Sequence, residues 1–577
     1  MSKKVRKTII CLLIAAVFSS LWACSFRPKP AVSDDGKTLF RIGFSGRPDS
    51  LNPYAAGNQE AEAVLSLLYD TLLCADASTG EVGANLCSEY TVSDSAIGGK
   101  LWKLTLRDDV FWHDGEKLNA DDVEFSLQSE KMFSTLYSYP CCELLDVTGI
   151  AVEDDTHLAF IAWGEEEYVL QCLSRIPILP RHVWNGLRGM EFDNSGVAKD
   201  PARAANSLYS VFPSAASMVG SGPFVWKSYG DDVCTLTANE NYWKPSGRAE
   251  CVMLCYGVDD PAQMLLENKI DACWDMSLRD WQELSHENGI RVTAGTGGEL
   301  FYLGFNYGQN SPVQDIRVRK AVEMCTNRPA LLLQAFGGGF AEKSYLSPFS
   351  RWYYGSSLPT DREYGVSQAA AFLEGCGFRD SDGDGTRELS NKKAQELTLI
   401  YSNDEPAWDT AARILAGACA SAGIKLELRA LSPAGFAYAM ETRDYDILLG
   451  CIQTWPEPFQ PFSSFYWGNG DNAFSAVDKR GRISSMGWNE SGYANQDFDA
   501  VYEKLLSSAD DEALKTMVQK AGAVLYEDAA AVPIGFRVTY QAHSSVWYGI
   551  RANRTGGLFF TPATLQQQLL AMHAAGK

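Results

Sequence analysis

The sequence predicts an α/β protein of more than one domain, and three observations carry that expectation. The chain has 577 residues, too many for one ordinary hydrophobic core. Helix-like and strand-like periodicities alternate along it, as where an amphipathic stretch over residues 411–422 feeds a strand over 424–430. The third is residues 101–127, LWKLTLRDDVFWHDGEKLNADDVEFSL, which read as strand, turn, strand, turn and capped helix. Trp102, Leu104 and Leu106 alternate with Lys103, Thr105 and Arg107, the period of a strand with one buried face. Asp108-Asp109 break it and Val110-Phe111-Trp112 resume it. His113-Asp114-Gly115 then supply a turn in which Gly115 can take a positive φ without steric cost. Asn119 stands where an N-cap belongs, with Asp122 three residues on and acids in the first turn to suit the helix dipole.

A content of 46% hydrophobic and 12% aromatic residues suits large globular cores. The formal charge of −22 argues against nucleic acid or an anionic membrane surface as partner, since both repel it. Lys3, Lys4, Arg6 and Lys7 precede an uncharged run over residues 8–23, short for a membrane span and suited to the apolar region of a signal peptide. The run ends Leu21-Trp22-Ala23-Cys24, which resembles a bacterial lipobox with Cys24 as the acylated residue. An uncleaved N-terminal anchor is the other reading, and both place the bulk of the protein outside the cytoplasmic membrane. Of 15 cysteines, 13 remain once Cys11 and Cys24 are set aside, an odd number that cannot all pair. No zinc-site spacing occurs among them. Cys172, Cys234, Cys419 and Cys451 sit in apolar runs, where a free thiol acts as a small hydrophobe. Cys141-Cys142 and Cys251/Cys255 are the candidates for bridges.

In chain order, a polar tether is expected over 25–37, a strand over 38–44, a loop over 47–53, and a helix over 61–73 with Val64, Leu67, Leu68 and Leu72 on one face. A hairpin is expected over 147–153 and 157–162, then a Pro-capped turn over 176–180. The polar stretch 190–215 reads as loop or short helices. Strands follow at 252–258 and 270–274 around a helix at 261–267, and an edge-like strand at 301–306. A helix begins at Asp315, and the helix over 411–422 carries Gly423 as its C-cap. An apolar strand at 447–452, paired helices at 497–507 and 511–526, and a strand at 531–534 complete the order.

The LRDDV…DG…ADDV arrangement does not stand alone. With it come the Pro48-Asp49-Ser50-Leu51-Asn52-Pro53 loop, Ser221-Gly222-Pro223-Phe224 followed by Asn241-Tyr242-Trp243, and Asp315-Ile316-Arg317-Val318-Arg319-Lys320-Ala321. Together they resemble family 5 extracytoplasmic solute-binding proteins, the oligopeptide-, dipeptide- and nickel-binding receptors of ABC importers, from about Leu39 to Gly549. The resemblance implies a two-lobed periplasmic-binding-protein-like fold of the large type II, with an extra subdomain in the first lobe and a hinge between lobes. The expected divisions are a lipoprotein signal peptide at 1–24, lobe one at 38–259 with the subdomain at about 87–190, lobe two at 260–528, and a return segment at 529–577. The crossing into lobe two is expected near Asp259-Asp260, and Ala531-Val532-Pro533-Ile534 as the return strand.

Such a receptor needs polar groups in a cleft that closes on ligand. Cys451-Ile452-Gln453-Thr454-Trp455-Pro456-Glu457-Pro458-Phe459 follows a buried strand and should emerge there. Peptide-binding relatives carry an aspartate ahead of an acidic residue-proline pair, which holds the peptide's ammonium. Matching Glu457-Pro458 to that pair puts Thr454 at the aspartate's place, so the salt bridge is lost unless Glu457 supplies it. Matched to nickel receptors, Trp455 and Phe459 form an aromatic wall, with Arg175 the candidate for holding a metal chelate; a core Trp455 is the other reading. Ser45 and Tyr54 lie on the loop after the first strand. Asn306 and Tyr307 end the edge-like strand, where an extended peptide could add by β-augmentation. Arg351 could meet a carboxylate bidentately.

Asp380, Asp382 and Asp384 open a D-x-D-x-D-G pattern of a calcium loop, but Asn391 stands in place of the bidentate glutamate, so a plain Asp/Gly turn competes with a structural calcium. No other cofactor is expected. No GxSxG or HExxH occurs, which leaves a secreted hydrolase as a remote alternative. The expectation is therefore a monomeric, lipid-anchored receptor that captures an oligopeptide or related solute for an ABC permease, with a metal chelate as the alternative cargo.

Overall fold

The computed structural model describes residues 30–574, apart from 55, 57, 77–78, 80, 135–145, 164–165, 189–213, 215, 246–248, 309–310, 391–392, 395, 455–457, 467–488, 490, 509 and 554–555. Three sheets organise it. An eight-stranded sheet runs Ile290–Gly295, Thr539–Ser544, Ala272–Cys273, Thr38–Gly43, Cys251–Cys255, Val233–Ala238, Phe224–Gly230, with Ala31–Val32 also paired to Thr38–Gly43. A six-stranded sheet runs Gly339–Ala341, Ala531–Arg537, Glu299–Phe305, Ile447–Gln453, Glu396–Ser402, Lys425–Leu431. The third is antiparallel and four-stranded, Cys87–Asp94, Lys100–Leu106, His157–Trp163 and Asp146–Val152. Each large sheet mixes parallel and antiparallel pairs and carries helices, so the fold is α/β with two lobes.

The stretch at 101–127 forms much as its sequence dictates. The strand Lys100–Leu106 buries Trp102 beside Tyr90, ring centroids 5.4 Å apart. Gly115 takes φ 93° in the turn. The helix Ala120–Ser134 starts with a reciprocal box: Asp122 N–H donates to Asn119 Oδ1 at 3.3 Å, and Asn119 N–H to Asp122 Oδ2 at 3.1 Å. Asp122 also accepts from Trp112 Nε1 at 3.1 Å and from the Arg181 N–H at 2.8 Å. His113 Nδ1 accepts the Gly220 N–H at 3.1 Å while Nε2 donates to Gly222 O at 3.0 Å. Two motifs about a hundred residues apart are thereby joined through a neutral imidazole, whose pKa burial holds down.

One apolar core packs on the first large sheet, with Phe40 against Trp547 at 5.0 Å and Phe44 stacked on Trp274 at 4.8 Å. Another packs on the second, around Phe301, Phe336 and Trp408. A third cluster continues from Trp102, Leu104 and Phe160 through Trp352 and Tyr354 to Phe498 and Tyr502, so buried apolar surface links the small sheet to the helices of the second lobe. Deleting a large side chain from such a core costs about 3–5 kcal/mol.

Several boundaries differ from expectation. Residues 31–37 are no tether: Ala31 and Val32 pair with Leu39 and Thr38 around a turn closed by Gly36 at φ 82°. The helix beginning the first lobe is Gln59–Leu68, and Leu73–Ala75 is a strand. The strands Ala272–Cys273 and Ile290–Gly295 both belong to the eight-stranded sheet, so the chain crosses to the other sheet at 296–298 rather than near 259–260. Ala531–Arg537 is a strand of the six-stranded sheet, and the return crossing falls at Val538. Glu299–Phe305 is no edge: it pairs on one side with Ile447–Gln453 and on the other with Ala531–Arg537. Cys251 and Cys255 share one strand and stand about 13 Å apart at 3.3 Å per residue, beyond disulfide reach. Cys141 and Cys142 lie outside the described residues, as does Cys24.

Candidate functional site

In the first lobe the parallel strands Thr38–Gly43, Cys251–Cys255 and Ala272–Cys273 end together. In the second, Glu396–Ser402 runs parallel to Ile447–Gln453. Ligands of open α/β sheets bind outside such carboxyl ends, and here both sets flank the crossing at 296–298. Helix Gln59–Leu68 begins at this junction, its first turn capped by Asn58 Oδ1 accepting the Ala61 N–H at 3.1 Å. Its Gln59 side chain abuts Gly297 so closely that a β-carbon there would sit 3.0 Å from Nε2.

Charged groups from distant stretches converge on the junction. Ser45 donates both its N–H, at 3.0 Å, and its hydroxyl to Asp275. Across the crossing, Arg537 Nε lies 2.7 Å from Glu299 Oε2, and its Nη2 is 3.5 Å from Glu405. Burial pushes the Glu60 carboxyl up, and the negative charges of Asp275, Asp49 and Glu299 add to this, although Glu60 and Glu299 belong to different lobes. Glu62 is accessible to solvent yet walled by protein; the loss of hydration pushes it up to about 7, against the pull of Arg175. Cys451 is likewise accessible and likewise desolvated, its thiol pushed up to about 12 with Glu299, Glu405 and Asp404 as negative neighbours. The junction can thus offer carboxylates and one paired guanidinium to a polar solute.

The predicted site residues distribute unevenly. Ser45 is at the junction, and Arg175 is half-buried beside Glu62. Thr454 is there too, but its N–H and its hydroxyl both donate to Gly298 O, at 2.9 and 2.8 Å, which ties the end of its strand to the crossing and leaves the side chain 3% exposed. Tyr54 is in the first core, edge-on to Trp184 at 5.6 Å. Asn306 donates to Arg443 O and Tyr445 O at 2.9 and 2.6 Å, and Tyr307 donates to Ala530 O at 3.0 Å. With both ladders of their strand filled, neither can receive an added strand by pairing. Arg351 lies over the Trp352 ring at 4.0 Å, with Asp511 at 3.4 Å. Trp455 and Glu457 lie outside the described residues; Phe459 opens the short helix Phe459–Ser463, and its side chain is outside them too. Asp380, Asp382 and Asp384 are exposed and bring one carboxylate oxygen each within 4.8 Å of the others. Asp380 accepts from the N–H groups of Gly383, Asp384 and Gly385 at 2.7, 3.1 and 2.9 Å.

Sequence reasoning missed Glu60, Glu62, Asp275, Glu299, Glu405 and Arg537. A signal was present for some of them: Asn58 begins a capped helix carrying Glu60 and Glu62, and Gly295-Thr296-Gly297-Gly298 marks an irregular step just before Glu299.

A two-lobed α/β fold whose strand ends meet at a polar, desolvated junction defines a binding protein for small solutes. The chain belongs to family 5 of the bacterial extracellular solute-binding proteins, whose middle-region profile matches residues 81–474. It is 23% identical over 544 residues to the probable D,D-dipeptide-binding periplasmic protein DdpA of Escherichia coli K12, covering 93% of each chain. Among solved structures it resembles the oligopeptide-binding protein AppA of Bacillus subtilis in complex with a nonapeptide, at TM-score 0.67 and 17% identity over 95% of this chain and all of that one. It also resembles NikZ of Campylobacter jejuni in complex with Ni(L-His), at TM-score 0.68 and 19% identity over 92% and 99%. No helix among the described residues is long and apolar enough to cross a membrane.

Proposed function

We propose that the chain is the solute-capturing subunit of an ABC importer, that its cargo is peptide-like, and that Cys24 anchors it to the membrane by lipid. The observation that carries the reading is the junction: strand ends of both lobes, two single-chain crossings at 296–298 and Val538, and accessible but desolvated carboxylates between them. Two short crossings are a hinge of the kind that permits closure around a ligand. The cargo names of DdpA and AppA favour a peptide. Function is then capture and handover, with no bond made or broken in the cargo.

Thr454 carries no charge and its hydroxyl already donates to Gly298 O at 2.8 Å, so it cannot neutralise an ammonium group, and an unpaired buried charge is strongly disfavoured. The peptide is read as held mainly through its backbone, so acetylating its N-terminus should change affinity little; a sharp loss would instead place its ammonium on another acid, Glu457 or a junction carboxylate such as Glu60. The test is a thermal-shift and small-angle scattering screen with free peptides, their N-acetylated forms and Ni(L-His). A cargo peptide at a hundred times its Kd should stabilise the protein by about 2.7 kcal/mol and compact it. Response to Ni(L-His) with none to any peptide would transfer the assignment to a metal-chelate receptor.

A further inference from the structure

The two ends of the crossing at 296–298 are held by different lobes. Thr296 donates its N–H to Gly556 O at 2.8 Å, and Thr293 donates its hydroxyl to Gly557 O at 2.6 Å. Gly556 and Gly557 belong to a first-lobe turn: their N–H groups donate to Asn553 Oδ1 at 2.7 Å and Asn553 O at 3.1 Å, and Asn553 N–H donates to Leu558 O at 2.7 Å. Just beyond, Phe560 is tied to the first-lobe strand Thr539–Ser544, donating its N–H to Gln541 Oε1 at 2.9 Å and accepting from Gln541 Nε2 at 2.8 Å. At the far end of the crossing, Gly298 O accepts both the N–H and the hydroxyl of Thr454, which follows the second-lobe strand Ile447–Gln453. The first anchor leaves no room for side chains. A β-carbon on Gly295 would overlap Gly556 O, and one on Gly556 would stand 2.6 Å from Thr296 O. The same turn also meets the second lobe. A β-carbon on Gly557 would stand 3.1 Å from the ring of Phe349, which is edge-on to Phe340 at 5.4 Å.

We propose that the turn of Asn553, Gly556, Gly557 and Leu558 is a clamp and a stop on the hinge. It fixes Thr296 to the first lobe, so that rotation of the second lobe is taken up at Gly297, and Phe349 meeting Gly557 limits that rotation on one side. The inference rests on the reading of the chain as a two-lobed capture protein. Hinges concentrate large backbone changes in a few residues whose neighbours are held. Thr296, 4% exposed and bonded to Gly556, cannot turn without leaving the first lobe, and Gly298, at φ 96°, cannot turn without leaving Thr454. Gly297 stands between the two anchors, with the backbone freedom of a residue without a β-carbon. The bond that spans it, from Gly298 N–H to the Thr296 hydroxyl at 3.0 Å, is made by a side chain that can rotate. The return crossing is equally narrow: Val538 alone separates the second-lobe strand Ala531–Arg537 from the first-lobe strand Thr539–Ser544. Gly295 pairs with Thr539 on one side of the crossings and Leu300 with Phe536 on the other, so the two pivots lie side by side and define one axis.

The test uses the full-length protein without cargo, so a failed cargo screen and a failed clamp are separate results. Hydrogen exchange read residue by residue should find the Thr296 and Thr454 amides both protected about a hundredfold or more in the wild type. In Gly556→Ala the Thr296 amide should lose about tenfold or more of that protection while Thr454 keeps its own, and the radius of gyration from small-angle scattering should move from the wild-type value. Phe349→Ala truncates a half-buried ring and should also move the radius, with both amides unchanged. Gly83→Ala, where a β-carbon meets nothing within 4 Å, should change neither quantity. An unprotected Thr296 amide in the wild type, or an unchanged radius in Phe349→Ala, overturns the proposal. So does a Gly556→Ala that loses protection at Thr296 without any change in radius. The wild type and Phe349→Ala decide the matter even where Gly556→Ala fails to fold.

Discussion

The most quantitative consequence of the structure concerns His543. It lies on the strand Thr539–Ser544, 3% exposed, its ring edge-on to Phe559 at 4.7 Å and its Nδ1 2.9 Å from Ser544 O. Burial is the main cause that pushes its pKa from 6.5 down to about 4; the Ser544 carbonyl opposes this and the positive charge of Arg291 reinforces it. In the unfolded chain the imidazole takes a proton near its ordinary value, while in the folded chain it resists until about pH 4. Between those points the unfolded state binds more protons, so stability falls as the pH falls. The contribution is complete above the unfolded value and is lost on descent through the folded one. A displacement of this size corresponds to about 3 kcal/mol at about 1.4 kcal/mol per pH unit. Other groups work in the opposite sense. Glu130, pushed up to about 8 by burial, and Glu62, pushed up to about 7, bind protons more readily when folded and so gain stability as the pH falls. The measurement must therefore compare variants. Urea unfolding of wild type and His543→Gln at neutral pH and near pH 4 should show the wild type losing about 3 kcal/mol more than the variant over that interval. Parallel losses would refute the claim that this imidazole is buried neutral.

Other outcomes follow from single contacts. Asp70 is buried and accepts from Tyr242, Gln566, Trp243 and Ser221, at 2.9, 3.0, 3.3 and 3.3 Å, so Asp70→Ala strands four donors and should cost about 3–5 kcal/mol in urea unfolding; a loss below about 1 kcal/mol would mean the donors find water instead. Millimolar calcium should leave the melting midpoint unmoved, because Asp380 already satisfies three N–H groups of its own turn; a clear rise would establish a cation loop at Asp380, Asp382 and Asp384. Cys24→Ser should shift the protein from the membrane fraction to the soluble one, and an unchanged distribution would reject lipid anchoring.

Features that depend on neighbours along the chain were legible in the sequence. The alternation from Trp102 to Leu106, the positive φ at Gly115 and the Asn119/Asp122 box are each decided within a few residues, and each formed where expected. So did the start of helix Ile316–Met324, capped by Asp315. These local features, with the motifs around them, were enough to indicate the family and its two-lobed fold. Tertiary structure alone decided which sheet each strand joins, because pairing is settled by partners far away in sequence. Ile290–Gly295 reads as a strand in either lobe until its register with Thr539–Ser544 places it in the first, and Glu299–Phe305 reads as an edge until Ala531–Arg537 covers its open side. The site obeys the same rule. Thr454 looked available to a ligand because its sequence could not show Gly298 O at 2.8 Å. Glu60, Asp275, Glu299, Glu405 and Arg537 are unremarkable in five separate stretches and become one site only where the chain crosses between sheets. The physical reason is that caps and turns are satisfied by bonds a few residues long, whereas sheet membership and cleft chemistry rest on contacts that close loops of a hundred residues or more.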